Sequence, residues 1–293
     1  MTDQTTQSEQ SAKALKSLQT SSGRYTISAF DQRGSMVKIL KLDHKKKEDR
    51  EHIKQVKKKM MQVFSPICSA VLVDPEYGLE AVEEKHPDAG LLLSLEKSSY
   101  ETVDQKELPV FYDDWGIKNI IEHNGAVKFL LFYHPESQMT DKKSAIIRSI
   151  YDQTKEQGSA FVFEPLLHSR PGNDTTFDHY LRMVEAFKNR CDVLKIEFPK
   201  IEGESLSKDE AYARCKEITQ LVGKTPWILL SRGVEFEMFK DQLKIALESG
   251  ASGYAAGRAV WQEVGTTTDL SSQREFLETM AFKRMQELVS MVE

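Results

Sequence analysis

Residues 192–199 read Asp192-Val193-Leu194-Lys195-Ile196-Glu197-Phe198-Pro199, a short apolar run bounded by an acidic residue and a proline, which predicts a strand. Side chains alternate along a strand, so Leu194, Ile196 and Phe198 share one face while Lys195 and Glu197 share the other. The apolar face needs helices packed against it. Lys195 and Glu197 then point into the interior of the sheet, where an uncompensated charge costs several kcal/mol unless it is paired or neutralised.

Working outward in both directions, seven further runs have the same character. They are RYTISAF before Asp31, SAVLVD ending at Asp74, GLLLSLE ending at Glu96, AVKFLLFY ending at Tyr133, SAFVFEPLL ending at Leu167, PWILLSRG ending at Gly233 and SGYAAGRA ending at Ala259. Amphipathic stretches such as REHIKQVKKKMMQVF, KSAIIRSIYDQTKEQ, FDHYLRMVEAFKNR, DEAYARCKEITQLV and FEMFKDQLKIALES lie between them, and FLETMAFKRMQELVSMV closes the chain. Each strand is therefore expected to carry its helix. Gly158, Gly223 and Gly250 follow helical runs and suit left-handed C-terminal caps. Eight consecutive strand-helix units predict an α/β fold, a single (β/α)8 TIM barrel over 23–293. The first strand-helix turn lacks a GxGxxG run, which argues against a dinucleotide-binding sheet.

Composition agrees with one soluble globular domain: 293 residues, 40% hydrophobic, 29% charged and a formal charge of -5. The lysines from Lys45 to Lys59 alternate with Glu48, Asp49, Glu51 and His52, the pattern of a solvated helix face. No nucleic-acid or membrane partner is expected from it. Cys68, Cys191 and Cys215 are widely spaced and suggest reduced thiols in a cytoplasmic protein, with no disulfide framework and no metal site. Residues 1–22 are rich in Ser, Thr, Gln and Lys and are expected to form a flexible tail without a targeting signal.

In such barrels chemistry gathers where the strands end, so the inward polar residues there are the candidates. A desolvated lysine beside a second cation can act as an amine nucleophile, attack a carbonyl and form an imine that serves as an electron sink. Lys195 fits that role. Lys128, on the face of its strand opposite Val127, Phe129 and Leu131, is the candidate second cation, and a buried ion pair would satisfy the same pattern. Glu164, opposite Phe161 and Phe163, is a carboxylate placed to move protons. LLSRGV and AAGRAV end the last two strands, where barrels commonly bind phosphate through main-chain N–H groups, and they nominate Ser231, Gly233, Gly257 and Arg258. Asp31, Gln32 and Arg33 form a polar cluster after the first strand. His134, His168 and Arg170 follow strand ends without a defined role.

Taken together, FDQRG, LVDPEYGLEA, GLLLSLEKSSYE, VKFLLFY, FEP, DVLKIEFP, ILLSRGV and GYAAGRAVW resemble the tagatose 1,6-bisphosphate aldolase family, which includes sulfofructosephosphate aldolases. The resemblance runs from about residue 24 to 285. It implies a metal-independent class I aldolase without a cofactor, acting on a phosphorylated ketohexose and tending to self-associate. It makes Lys195 the Schiff-base lysine, Glu164 the acid/base and Lys128 a supporting lysine. It further implies that Ser231, Gly233, Gly257 and Arg258 hold the phosphate of dihydroxyacetone phosphate, while Asp31, Gln32 and Arg33 line the pocket. The segments after the fifth and sixth strands, HSRPGNDTTFDHY and KIEGESLSKDEAY, are closer in length to the sulfosugar branch. That leaves 6-deoxy-6-sulfofructose 1-phosphate as an alternative substrate. A barrel that senses sugar phosphates without turnover is the alternative of another class.

Overall fold

In the computed structural model, which describes residues 2–97, 108–168 and 175–293, every one of the expected runs contains a strand. These are β1 (Tyr25–Ala29), β2 (Ala70–Val73), β3 (Gly90–Ser94), β4 (Ala126–Tyr133), β5 (Phe161–Leu167), β6 (Val193–Ile196), β7 (Trp227–Leu230) and β8 (Gly253–Ala256). They pair in parallel in chain order, and β8 returns to β1 to close the barrel. The β4 and β5 pair extends from Val127 opposite Phe161 to Tyr133 opposite Leu167, past the end of its neighbours' pairing.

The helices are α1 (Thr2–Lys16), α2 (Gly34–Leu40), α3 (Lys47–Phe64), α4 (Ile117–Glu122), α5 (Thr140–Glu156), α6 (Phe177–Phe187), α7 (Lys208–Val222), α8 (Phe236–Glu248), α9 (Arg258–Trp261), α10 (Leu270–Phe276) and α11 (Phe282–Ser290). Gly158, Gly223 and Gly250 all have positive φ after α5, α7 and α8, as the expected caps require. Among the described residues, the expectation of a full helix after every strand is not met behind β2 and β3. Behind β2 there is only a 3-10 segment, Leu79–Glu84, because Gly78 and Pro87 bracket too short an amphipathic run. Behind β3 the described residues form only α4, of 6 residues.

Two apolar layers hold the barrel together. Outward strand residues such as Val127, Phe129, Phe161, Phe163, Leu194 and Ile196 pack under the helices. Inward residues, including Ile27, Ala29, Leu72, Leu92, Val162, Val193 and Ile228, fill the lower interior. The alternation deduced for β4, β5 and β6 is therefore the one the barrel uses.

Residues 1–22 depart from the expected flexible tail. Most of them form α1 and a following turn, and Leu18 is fully buried in the inner apolar cluster with Ala14 and Leu15 against it. Ser69 Oγ donates to the Leu18 carbonyl at 2.8 Å, and Gln19 Nε2 donates to Tyr25 Oη at 2.8 Å. The physical reason is the open lower end of the barrel, whose apolar floor needs a cover; a few apolar residues in a polar segment suffice.

The lysine run also departs from a purely solvated face. Lys54, Lys58 and Lys59 pair with Glu80, Glu84 and Glu278 on the outside. Lys57, on the buried side of α3, is fully enclosed; it pairs with Asp74 and donates to the Gln32 carbonyl at 2.8 Å. Among the described residues no helix is long and apolar enough to cross a membrane.

Candidate active site

Continuing each strand's inward row by one alternation past the apolar layer reaches a ring of ionisable residues. Ala29 is followed by Asp31, Leu72 by Asp74, Leu92 by Ser94 and then Glu96, Ala126 by Lys128, Val162 by Glu164, and Val193 by Lys195 and then Glu197. On β7 and β8 the same rows continue as Leu230 and Gly257. The ring is thus charged on the first six strands and uncharged on the last two. Above it opens a cavity of about 460 Å³.

Lys195 is 4% exposed, and its Nζ donates to Glu164 Oε2 at 2.7 Å. The same Glu164 oxygen lies 3.0 Å from Lys128 Nζ, so one carboxylate bridges both amines. Lys128 Nζ also donates to Asp31 Oδ2 at 2.9 Å and to Glu96 Oε1 at 3.0 Å. Burial by itself would discharge Lys128. The surrounding carboxylates Asp31, Glu164 and Glu96 override it and hold its pKa well above the ordinary lysine value, so Lys128 is a fixed cation. Burial likewise opposes the charge on Asp31, and Lys128 and Lys195 outweigh it, keeping that carboxyl below its usual range.

Arg33 is enclosed at the edge of the ring, donating from Nη1 to the Glu96 carbonyl at 2.7 Å and to Tyr112 Oη at 2.8 Å. Its Nη2 lies 3.6 Å from Glu96 Oε1. Asp31, Glu96 and Glu164 are thereby set against Lys128, Lys195 and Arg33, acid for base. Such a set resists the desolvation penalty because each member's charge is compensated by a neighbour.

Asp31, Gln32, Arg33, Lys128, Glu164, Lys195 and Arg258 line the one cavity. Ser231, Gly233 and Gly257 frame its rim without lining it. Ser231 Oγ accepts the Gly257 N–H at 3.1 Å, which ties the ends of β7 and β8 together. A Cβ on Gly233 would stand 3.0 Å from Arg258 Cζ, so the absent side chain lets the guanidinium lie over the main chain. His168 also lines the cavity, whereas Arg170 lies outside the described residues, as do Ser98, Ser99, Tyr100 and Glu101. His134 is buried near His179, their rings 4.7 Å apart, and is not among the lining residues.

Sequence reasoning passed over Glu96, Glu197, Arg232 and Lys200 as site residues, although all four line the cavity. The alternation of Leu92, Ser94 and Glu96 carried the first of these signals. Arg232 and Lys200 lie in loops, where no periodicity reports direction.

The family model described as DeoC/LacD family aldolase matches residues 25–263. A tagatose 1,6-diphosphate aldolase 2 of Streptococcus pyogenes serotype M1 is 31% identical over 310 aligned residues, covering 97% of this chain and 94% of the relative. A tagatose 1,6-diphosphate aldolase of Staphylococcus epidermidis is 30% identical, covering 97% and 95%. Among solved structures, a Schiff-base-forming fructose-1,6-bisphosphate aldolase superposes with a TM-score of 0.63 at 18% identity, covering 96% of this chain and 99% of that one. A fructose-bisphosphate aldolase from Slackia heliotrinireducens gives 0.65 at 15% identity, covering 100% and 92%. At those identities the structural likeness speaks to the fold.

Proposed function

The chain belongs to the DeoC/LacD family of aldolases, and on that footing we propose a class I aldolase that cleaves tagatose 1,6-bisphosphate to dihydroxyacetone phosphate and glyceraldehyde 3-phosphate. The observation that carries the reading is the enclosed Lys195 amine facing the cavity, 2.7 Å from Glu164 Oε2.

The steps follow from that contact. Lys195 passes a proton to Glu164, and its free amine adds to the C2 ketone to form a carbinolamine. Glu164 returns the proton to the departing hydroxyl, water leaves, and a protonated imine remains. The Glu164 carboxylate then takes the proton of the C4 hydroxyl while the C3–C4 bond breaks and its electron pair flows into the imine. The aldehyde departs. Glu164 protonates C3 of the resulting enamine, and water hydrolyses the imine to release dihydroxyacetone phosphate and restore Lys195.

Lys128 stays charged throughout and holds the Glu164 carboxyl in place beside Lys195. Because the protonated imine itself withdraws the electron pair, the polarising task that metal-dependent aldolases give to a divalent ion is already filled. No cofactor enters the scheme. The rim cations suit a phosphorylated sugar, the partner this reading requires, and the enzyme works in the cytoplasm with its three cysteines buried and free. The relatives' names favour tagatose 1,6-bisphosphate over 6-deoxy-6-sulfofructose 1-phosphate, and the ratio of cleavage rates on the two sugars decides between them.

Borohydride reduction in the presence of dihydroxyacetone phosphate, followed by peptide mass mapping, is expected to find the adduct on Lys195, with cleavage unaffected by EDTA. An adduct on another lysine, or turnover sustained by Lys195→Arg, would overturn the assignment.

A further inference from the structure

Arg232 follows Ser231 at the end of β7 with φ at +47°, a left-handed conformation that an arginine seldom adopts and that the surrounding structure must hold in place. Two contacts do so, and the glycine that follows makes room for the second. Its Nε lies 2.9 Å from Glu197 Oε1, which reaches it from just past the end of β6. Its carbonyl accepts from Arg258 Nη2 at 2.9 Å, which couples it to the first residue of α9. Gly233, the next residue, leaves room for the Arg258 guanidinium against the main chain. Glu197 is itself nearly enclosed, and Tyr180 Oη donates to its carbonyl at 2.6 Å from α6.

The result is an exposed arginine whose long side chain is pinned at Nε on a buried carboxylate. Among the described residues its two terminal amino groups have no partner within hydrogen-bond distance, while the residue lines the cavity beside Arg258 and Lys200. An arginine so pinned presents a planar pair of donors matched to two oxygens of a phosphate.

We propose that Arg232 is a specificity-determining residue that binds the phosphate of the ketone half of the substrate, and that Glu197 is the positioning residue that aims it. The proposal rests on the Schiff-base reading of Lys195. The choice of phosphate follows from connectivity: β7 borders β6, which carries Lys195, and in the imine the C1 phosphate stands one carbon from the attached C2. The phosphate of the aldehyde half, on C6, stands four carbons from C2 in the opposite direction and falls to other residues.

Borohydride trapping across a range of dihydroxyacetone phosphate concentrations tests this, with unphosphorylated dihydroxyacetone as the second probe. Arg232→Ala is expected to raise the half-saturating dihydroxyacetone phosphate concentration roughly ten- to a hundredfold, the range of a lost charge-assisted contact. The half-saturating concentration of dihydroxyacetone should stay unchanged, and Arg232→Lys should recover part of the loss. Glu197→Gln should give a smaller loss with the same phosphate dependence, and the double variant should be no worse than Arg232→Ala alone.

Equal losses for both probes, or none for either, would overturn the role of Arg232. Additive losses in the double variant would overturn the aiming role of Glu197. A weakened competition by glyceraldehyde 3-phosphate, with dihydroxyacetone phosphate unaffected, would overturn the assignment to the ketone half. Wild-type labelling on Lys195 is read in the same experiment, so a failure of the Schiff-base reading shows there and a failure of the present one only in the variants.

Discussion

Glu197 sits two residues beyond Lys195, just past the end of β6 and on the same inward row, and its carboxyl is pushed up to about 7. Burial is the chief cause; Glu164 adds to it, and the Arg232 guanidinium opposes both. The folded chain therefore holds a proton at Glu197 that the unfolded chain has lost between the usual glutamate range and about pH 7. Since the folded state binds more protons in that window, this group's contribution makes stability fall as pH rises through it. Glu197→Gln removes the titration, so its melting temperature relative to wild type should be higher at pH 8 than at pH 5, by on the order of 2–5 °C. Thermal melts of both proteins at the two pH values check it; a difference that does not change with pH would contradict the sign. Residue by residue, the inner-face rule made Lys195, Glu164 and Lys128 legible, because a strand's alternation is rigid. Lys57 was not legible. A lysine on an amphipathic helix reads as solvent-facing unless its position on the wheel and the partner across the gap are both known, and Asp74 lies on another element.

At the scale of elements, Lys57 is what links α3 to the barrel mouth. Its amine pairs with Asp74 at the end of β2 and holds the carbonyl of Gln32 after β1, while Asp74 Oδ2 accepts the N–H groups of Glu76 at 3.0 Å and Tyr77 at 2.7 Å. The loop after β1, which borders the cavity, and the loop after β2 are thus fastened to one helix. Lys57→Met leaves Asp74 charged and enclosed without its cation, which should cost about 3–5 kcal/mol, measured by urea unfolding. Lys57→Met combined with Asp74→Asn should recover at least half of that loss; a double variant as unstable as the single one would show that the pair does not act as a unit. Strand positions were readable from pattern, whereas the reduced segments behind β2 and β3 were not. Their length depends on how much of the outer barrel wall other parts already cover, and α10 and α11 both pack against α3 on that side.

For the whole molecule, the two ends of the barrel have opposite chemistry. The upper end gathers charged side chains around the cavity; the lower end is apolar and is closed by the turn after α1, with Leu18 buried in it. Leu18→Ala should lower stability by about 2–4 kcal/mol, read by urea unfolding, while leaving kcat within about twofold, since the proposed reacting groups, Lys195 and Glu164, stand at the other end. A large loss of kcat with unchanged stability would place Leu18 in the chemistry after all. Composition marked residues 1–22 as polar, and nothing in a single pattern says that one leucine will find an opening to fill.

The pairing of acids against bases around Lys195 has a consequence for redesign. On the proposed mechanism the centre brings its own counterions, which leaves recognition of the aldehyde half to the residues at the mouth. Exchanging loop residues there would redirect the same bond-breaking core to uncharged or sulfonated acceptors, much as a tool takes a new tip on an old handle.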